Sequence, residues 1–182
     1  MTDIHKEYIG PVQFREDSFL LASKVLRDGF KPDFMVALWR GGAPVGCYVH
    51  EFLKWKGVDA DHIAIRTSKY TGIDKANEEV VVHNLTYIKE KLFDGAKVLV
   101  VDDVWDTGST VMAFFEAMKG DCDIDIRVAT VYFKPSRNQT SHSPEYYVRE
   151  SENWLVFPHE LEGMSIEEIE KALGYEIAQM LK

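Results

Sequence analysis

Two adjacent carboxylates at the end of an apolar run, with a cluster of hydroxyls a few residues further on, are the groups in this 182-residue chain best suited to chemistry. In Val98-Leu-Val-Val-Asp102-Asp103-Val-Trp-Asp106-Thr107-Gly108-Ser109-Thr110 the apolar run reads as a buried strand. Thr107 to Thr110 then falls where the chain must turn into a helix carrying Val111, Phe114, Phe115 and Met118. A helix start presents unpaired backbone N–H groups and the positive end of the helix dipole, which together hold a phosphate. Carboxylates at the carboxyl end of a strand, where open α/β sheets place their ligands, suit ribose hydroxyls or magnesium. The plainer reading of Thr107 to Thr110 is a helix N-cap, but a cap needs one hydroxyl and no carboxylate pair. Trp39-Arg40-Gly41-Gly42-Ala43-Pro44 forms a second candidate anion site after the apolar run Phe34 to Leu38. Its glycines let the backbone approach a ligand, Arg40 adds a fork of donors, and Pro44 suits the first turn of a helix.

The Val98 to Thr110 segment resembles the signature of the type I phosphoribosyltransferases: an apolar strand, an acidic pair, two aliphatic residues, then Asp-Thr-Gly-x-Thr. Trp105 stands where that family has an aliphatic residue. The resemblance implies that Asp102 and Asp103 bind the ribose hydroxyls of phosphoribosyl pyrophosphate (PRPP) and take part in holding Mg2+. It assigns the 5′-phosphate to Asp106, Thr107, Gly108, Ser109 and Thr110, and makes Asp106 the general base or acid near the purine N7. Trp39 to Pro44 is similar to the pyrophosphate loop of the purine branch, where the first peptide is often cis without a proline. Arg40, Gly41 and Gly42 would then receive the pyrophosphate. Where the family often has Ser-Tyr this chain has Ser68-Lys69-Tyr70, which adds Lys69 to the pyrophosphate contacts. The stretch Ser68 to Glu79, with Gly72 to Asn77 as its mobile part, would close as a lid that excludes water.

A further resemblance concerns the base. Phe133-Lys134-Pro135, followed about twenty positions later by Trp154-Leu155-Val-Phe-Pro158-His-Glu160, looks like the base-binding half of xanthine-guanine and hypoxanthine-guanine phosphoribosyltransferases. By that resemblance Lys134 bonds the purine 6-oxo group, Trp154 stacks on the ring and Leu155 joins them. Glu160 takes the place of an Asp that helps hold magnesium or the purine 2-substituent. An ammonium has only donors, so it can meet the O6 of guanine, hypoxanthine or xanthine, whereas the amino group of adenine would face it donor to donor. Trp154 supplies a flat apolar face for stacking. Taken singly, Lys134 reads better as a solvated strand end and Trp154 as a core aromatic; their shared spacing with the two upstream motifs reverses that. The implied activity is transfer of a phosphoribosyl group from PRPP to a 6-oxopurine with release of pyrophosphate, in a homodimer or homotetramer. Two alternatives stand beside it: a phosphoribosyltransferase for another base such as orotate, and a non-catalytic regulator that senses PRPP.

The elements that must position these residues are legible as periodic patterns. Strand-like runs at Phe34 to Leu38, His62 to Arg66, Val98 to Val101 and Val128 to Phe133 are interleaved with helical patterns near Pro44 to Lys54 and after Thr107. Alternation of this kind predicts an α/β fold, a doubly wound, mostly parallel sheet, to which the resemblance adds a small hood built from terminal segments. An amphipathic helix is expected over Gln13 to Arg27, stopped by Gly29 and Pro32. A last helix opens on the capping box Ser165-Ile-Glu-Glu168, with one apolar stripe through Ile166, Ile169, Leu173, Ile177 and Met180.

Composition bounds the rest. The length fits one domain over 1–182 with one sizeable core, and 46% hydrophobic with 28% charged residues is ordinary for a globular chain. A net charge of −9 argues against a nucleic-acid footprint, but a small anionic substrate can still be held by helix-end amides, magnesium and a few local cations. No membrane-spanning stretch or signal peptide is visible, so the expected compartment is the cytoplasm. Cys47 and Cys122 then read as reduced thiols, and the sequons at Asn84 and Asn138 as chance. The six histidines show no zinc spacing and are expected on the surface or as satisfied core residues.

Overall fold

Val98 to Val101 have no exposed surface, and a strand buried on both faces needs helices above and below it. The computed structural model supplies both layers. It describes residues 5–71, 78–120 and 122–182, without the side chains of 69–71, 78 and 79. The central sheet contains β2 (Phe34–Trp39), β3 (Asp61–Thr71), β4 (Glu78–Val82), β5 (Ala96–Trp105), β6 (Ile124–Phe133) and β7 (Tyr146–Glu150), in the order β4-β3-β2-β5-β6-β7. Every neighbouring pair is parallel except β3 with β4, so the expected mostly parallel, doubly wound sheet is what forms. On one face, α1 (Pro11–Arg27) and α2 (Gly42–Trp55) bury Leu21, Val25, Val45, Val49 and Leu53 against Met35, Leu99 and Val101. On the other, α3 (Thr86–Lys89) and α4 (Ser109–Met118) bury Ile88, Val111 and Phe114 against Val36, Val98 and Val100. Among the described residues no helix is long and apolar enough to cross a membrane.

The sheet reverses its winding between β2 and β5. From β2 the chain passes through α2 to β3 on one side, and from β5 through α4 to β6 on the other. Such a switch point leaves a crevice at the carboxyl ends of the two strands. Here β2 pairs with β5 only from Phe34↔Val98 to Ala37↔Val101; beyond that, β2 continues beside β3 and β5 beside β6. The gap that opens lies directly at Asp102 and Asp103.

A hood closes over this end. The short strand β1 (Lys6–Tyr8) pairs in parallel with β8 (Trp154–Val156), from Lys6↔Trp154 to Tyr8↔Val156. Lys6 Nζ and Tyr8 OH both donate to Glu168 Oε1, at 2.6 and 2.7 Å, and the backbone N–H of Ser165 donates to Glu168 Oε2 at 2.9 Å. Lys6 chiefly, then the Ser165 amide and Tyr8, hold the Glu168 carboxyl down at about 2. The predicted capping box is present at the start of α5 (Ile166–Leu173). The single closing helix is not: Gly174, at φ 98° and ψ 163°, breaks the pattern, and α6 (Tyr175–Met180) follows as a separate helix. The apolar stripe is broken with it, since Ile169 is buried while Ile177 and Met180 are exposed. The first helix also begins earlier than Gln13, because Pro11 takes its first turn directly after Gly10.

Candidate active site

A cavity of about 390 Å³ occupies the crevice, and its walls bring most of the sequence-predicted residues together. Asp102, Asp103, Asp106 and Thr107 to Thr110 line it from β5 and the start of α4, and Arg40 and Gly41 from the loop after β2. Lys134 follows β6, Trp154 and Leu155 belong to the hood strand β8, and Glu160 completes the wall. Gly42 is the exception, being buried behind the wall at the first position of α2. The Lys69 side chain and residues 72–77 of the expected lid lie outside the described residues.

The carboxylate pair is held by backbone and by a residue that spacing did not reveal. Asp102 Oδ1 accepts the backbone N–H of Asp103 at 3.0 Å, and the Gly42 backbone also reaches this carboxyl. Burial, and after it the adjoining Asp103 carboxylate, push the Asp102 carboxyl well above the usual range. Asp103 Oδ2 lies 3.1 Å from Nε2 of His159, whose ring stacks on Phe157 and packs against Phe14. Gly41 seats against Asp103 and Gly42 against the Val101 carbonyl so closely that a Cβ on either would collide with them. Their glycine identity therefore answers to the neighbouring strand as well as to a ligand. Gly41→Ala is expected to displace Asp103 and weaken about tenfold the PRPP binding that the resemblance implies, since small misplacements at a reactive centre are costly. Calorimetry checks this, alongside circular dichroism to confirm an unchanged fold.

The hydroxyl loop is not capped in the usual way, from the N-cap residue. Gly108, in the left-handed conformation at φ 84°, is the N-cap residue of α4 and has no side chain to cap it, while Thr107 Oγ1 accepts the Ser109 N–H at 3.4 Å. Thr107 Oγ1 and Ser109 Oγ are 3.0 Å apart, and both line the cavity beside the open helix start. Trp105 settles inward: it is almost fully buried, and its indole N–H donates to Asn138 Oδ1 at 3.1 Å. The sequon at Asn138 thus begins with a structural residue. At the far wall, Lys134 is only 5% exposed, and burial pushes its ammonium down from the ordinary lysine range, opposed mainly by Asp106. Trp154 is half-exposed, as a face that receives a ring must be. In the β1·β8 ladder the Trp154 N–H bonds His5 and the Val156 carbonyl accepts from Ile9. The alternation of a parallel ladder turns the backbone groups of Leu155, between them, to the opposite side.

The loop after β2 begins with a cis peptide between Trp39 and Arg40. Arg40 Nη2 lies 4.0 Å from Glu160 Oε1. Among the other residues that line the cavity are Trp39, Thr67 and Arg137, none of which the sequence marked for a role of its own; Arg137 donates from Nε to Asp106 Oδ1.

Comparison with known proteins agrees with this geometry. No curated protein matches the chain. Among solved structures, the purine phosphoribosyltransferase from Pyrococcus horikoshii Ot3 is 29% identical, with a TM-score of 0.70 over 89% of this chain and 98% of its own. A hypothetical protein from Neisseria gonorrhoeae with bound ppGpp is 23% identical, with a TM-score of 0.74 over 100% of both chains. The Helicobacter pylori xanthine-guanine-hypoxanthine phosphoribosyltransferase is 20% identical, with a TM-score of 0.64 over 84% of this chain and 92% of its own. The last two are likenesses of fold alone. Residues 18–163, which carry the carboxylate pair, the hydroxyl loop, Arg40, Lys134 and Trp154, match the phosphoribosyl transferase domain, and the chain belongs to that family.

Proposed function

We propose that this protein transfers the 5-phosphoribosyl group of PRPP to a 6-oxopurine, that is guanine, hypoxanthine or xanthine, and releases pyrophosphate. The observation that carries the reading is the shared cavity: a buried ammonium and an exposed indole stand at one end of a crevice whose other walls are a helix start, a carboxylate pair and an arginine loop. The 29% identity to a purine phosphoribosyltransferase supports a purine as the base. In this reading the 5′-phosphate sits on the open start of α4, within reach of Thr107, Ser109 and Thr110. Asp102 and Asp103 take the ribose hydroxyls, and Arg40 with Gly41 faces the leaving pyrophosphate. Trp154 stacks on the purine, Lys134 donates to its 6-oxo group, and the backbone groups of Leu155 are available to the ring's far edge.

Among the described residues no three His, Cys, Asp or Glu side chains could hold a metal ion together. That donor set fits Mg2+, which keeps most of its shell for water and substrate oxygens and takes one or two carboxylates. Of the carboxylates at the cavity wall, Asp102, Asp103 and Glu160 would be the ones to hold it, with Asp106 left to the purine N7. Bound there, the ion would neutralise charge on the leaving group. The chain's own part is to hold both reactants in line while an oxocarbenium-like ribose passes between them, and to manage the purine N7 proton at Asp106.

The test is an initial-rate panel of five bases, with PRPP and magnesium present. PRPP binding without turnover on any base would replace this reading with the sensor, and orotate as the best substrate would replace it with another branch of the family. A further expectation separates the two anion sites. Arg40→Ala should slow both nucleotide synthesis and pyrophosphorolysis by about 10²-fold, as loss of one stabilising donor does, while nucleotide affinity without pyrophosphate changes little. Equal losses of affinity for nucleotide and pyrophosphate, measured by calorimetry, would show that the anion sites are wrongly divided.

A further inference from the structure

We infer that Arg137 is a positioning residue for Asp106: it holds one carboxylate oxygen so that the other faces the N7 edge of the bound purine. The inference rests on the reading of Asp106 given above. Its basis is the way two loops are joined. Where the β5·β6 ladder ends at Trp105↔Phe133, the Lys134 N–H donates to the Trp105 carbonyl at 2.9 Å, and the Gln139 N–H donates to the Thr107 carbonyl at 3.1 Å. The Trp105 indole bond to Asn138 adds a third link. Asp106 lies between the linked residues on one side and Arg137 on the other, and the ion pair between Arg137 Nε and Asp106 Oδ1 spans the seam.

Arg137 is also fixed to the base-recognition lysine. The 3-10 turn Pro135–Arg137 starts from Lys134, with Pro135 at its first position, and the Arg137 N–H donates to the Lys134 carbonyl at 3.1 Å. One short turn therefore carries both the group assigned to O6 and the partner of the group assigned to N7, two atoms on the same edge of a purine. Among the described residues, Arg137 is the only one that hydrogen-bonds the Asp106 side chain. Both side chains are open to solvent, at 51% and 37% exposure, and an ion pair so exposed contributes little to stability. Its effect lies instead in the orientation of Asp106.

The pairing also suits the direction of proton flow. A guanidinium is always charged and donates only, so it occupies one Asp106 oxygen as a donor and leaves the other free to accept. During synthesis the N9 lone pair bonds to the ribose anomeric carbon as the C–O bond to pyrophosphate breaks, its electrons leaving with the pyrophosphate. The N7–H bond then gives its electron pair to the ring and its proton to the free Asp106 oxygen.

A double-mutant cycle on the full chain tests this, with kcat and the PRPP KM measured for the native protein, Arg137→Gln, Asp106→Asn and the double variant. Arg137→Gln should lower kcat by about tenfold or more with little change in the PRPP KM, and by less than about twofold once Asp106 is Asn, because groups that act as a unit are not additive. Arg137→Lys should recover part of the rate, as charge without the planar fork, and thermal melting of all variants should stay within a few degrees of native. Equal losses in both backgrounds would overturn the inference while leaving Asp106 in its role. So would a loss confined to the PRPP KM, which would make Arg137 a phosphate contact. Near-native turnover of Asp106→Asn would remove the role of Asp106 itself, and this inference with it.

Discussion

Adenine is expected to be converted far more slowly than the best of guanine, hypoxanthine and xanthine, by up to about 10⁴-fold in kcat/KM. The size follows from the state of Lys134. Its side chain is buried to 5% exposure, burial disfavours its charge, and among the described residues its ammonium makes no hydrogen bond. A 6-oxo group entering the cavity would give this desolvated donor its acceptor. The 6-amino group of adenine offers only further donors, so binding it leaves the ammonium unpaired, and an unmade hydrogen bond to a buried charge is costly. Weak discrimination would mean that Lys134 does not face the base, and adenine as the best substrate would reverse the assignment. The comparison needs only initial rates with each base at limiting concentration.

Asp106→Asn is expected to lower kcat by about 10²- to 10⁴-fold, the usual range for a lost general acid or base. PRPP affinity, read by calorimetry without a base, should change by less than about threefold, because the amide keeps the size of the carboxylate beside the phosphate loop. The split between turnover and affinity distinguishes proton management from phosphate binding, two roles that share this short loop. If kcat stays near native while chemistry limits the rate, Asp106 is only a loop residue.

The parts of the cavity legible in the sequence are those built by contiguous residues. Asp102 to Thr110 runs from strand through loop to helix, so periodicity and residue type together locate its carboxylates and hydroxyls before any folding is considered. Arg40 and Gly41 are visible for the same reason. What was missed depends on register between distant segments. His159 and Asp103 meet only because the chain after the hood strand returns over β5, and no local pattern marks that histidine. Arg137 reads as an ordinary charge in a polar turn until the continuation of the β5·β6 seam sets it against Asp106. Gly42 carries a second constraint that the motif does not show: beside its resemblance to a ligand loop, packing against the Val101 carbonyl also requires a glycine there. The closing helix failed on a single position, since periodicity counts apolar residues and passes over the backbone angle that Gly174 adopts.

The β1·β8 pairing has a bearing on how the molecule assembles and opens. A nascent chain has made the hydroxyl loop and the arginine loop long before the ribosome reaches Trp154, whereas β1 emerges before both loops and must wait for a partner made after them. Pairings between segments so far apart in the chain form late, because closure of the intervening loop comes before any contact repays it. The half proposed to hold the ribose phosphate can thus mature before the hood strand that carries Trp154 is in place. In the finished protein the same joint, a two-stranded sheet of three-residue strands separate from the central sheet, is the natural place for the structure to come apart locally. Amide hydrogens of β1 and β8 should exchange sooner than those of β5, whose core opens only when the whole sheet does.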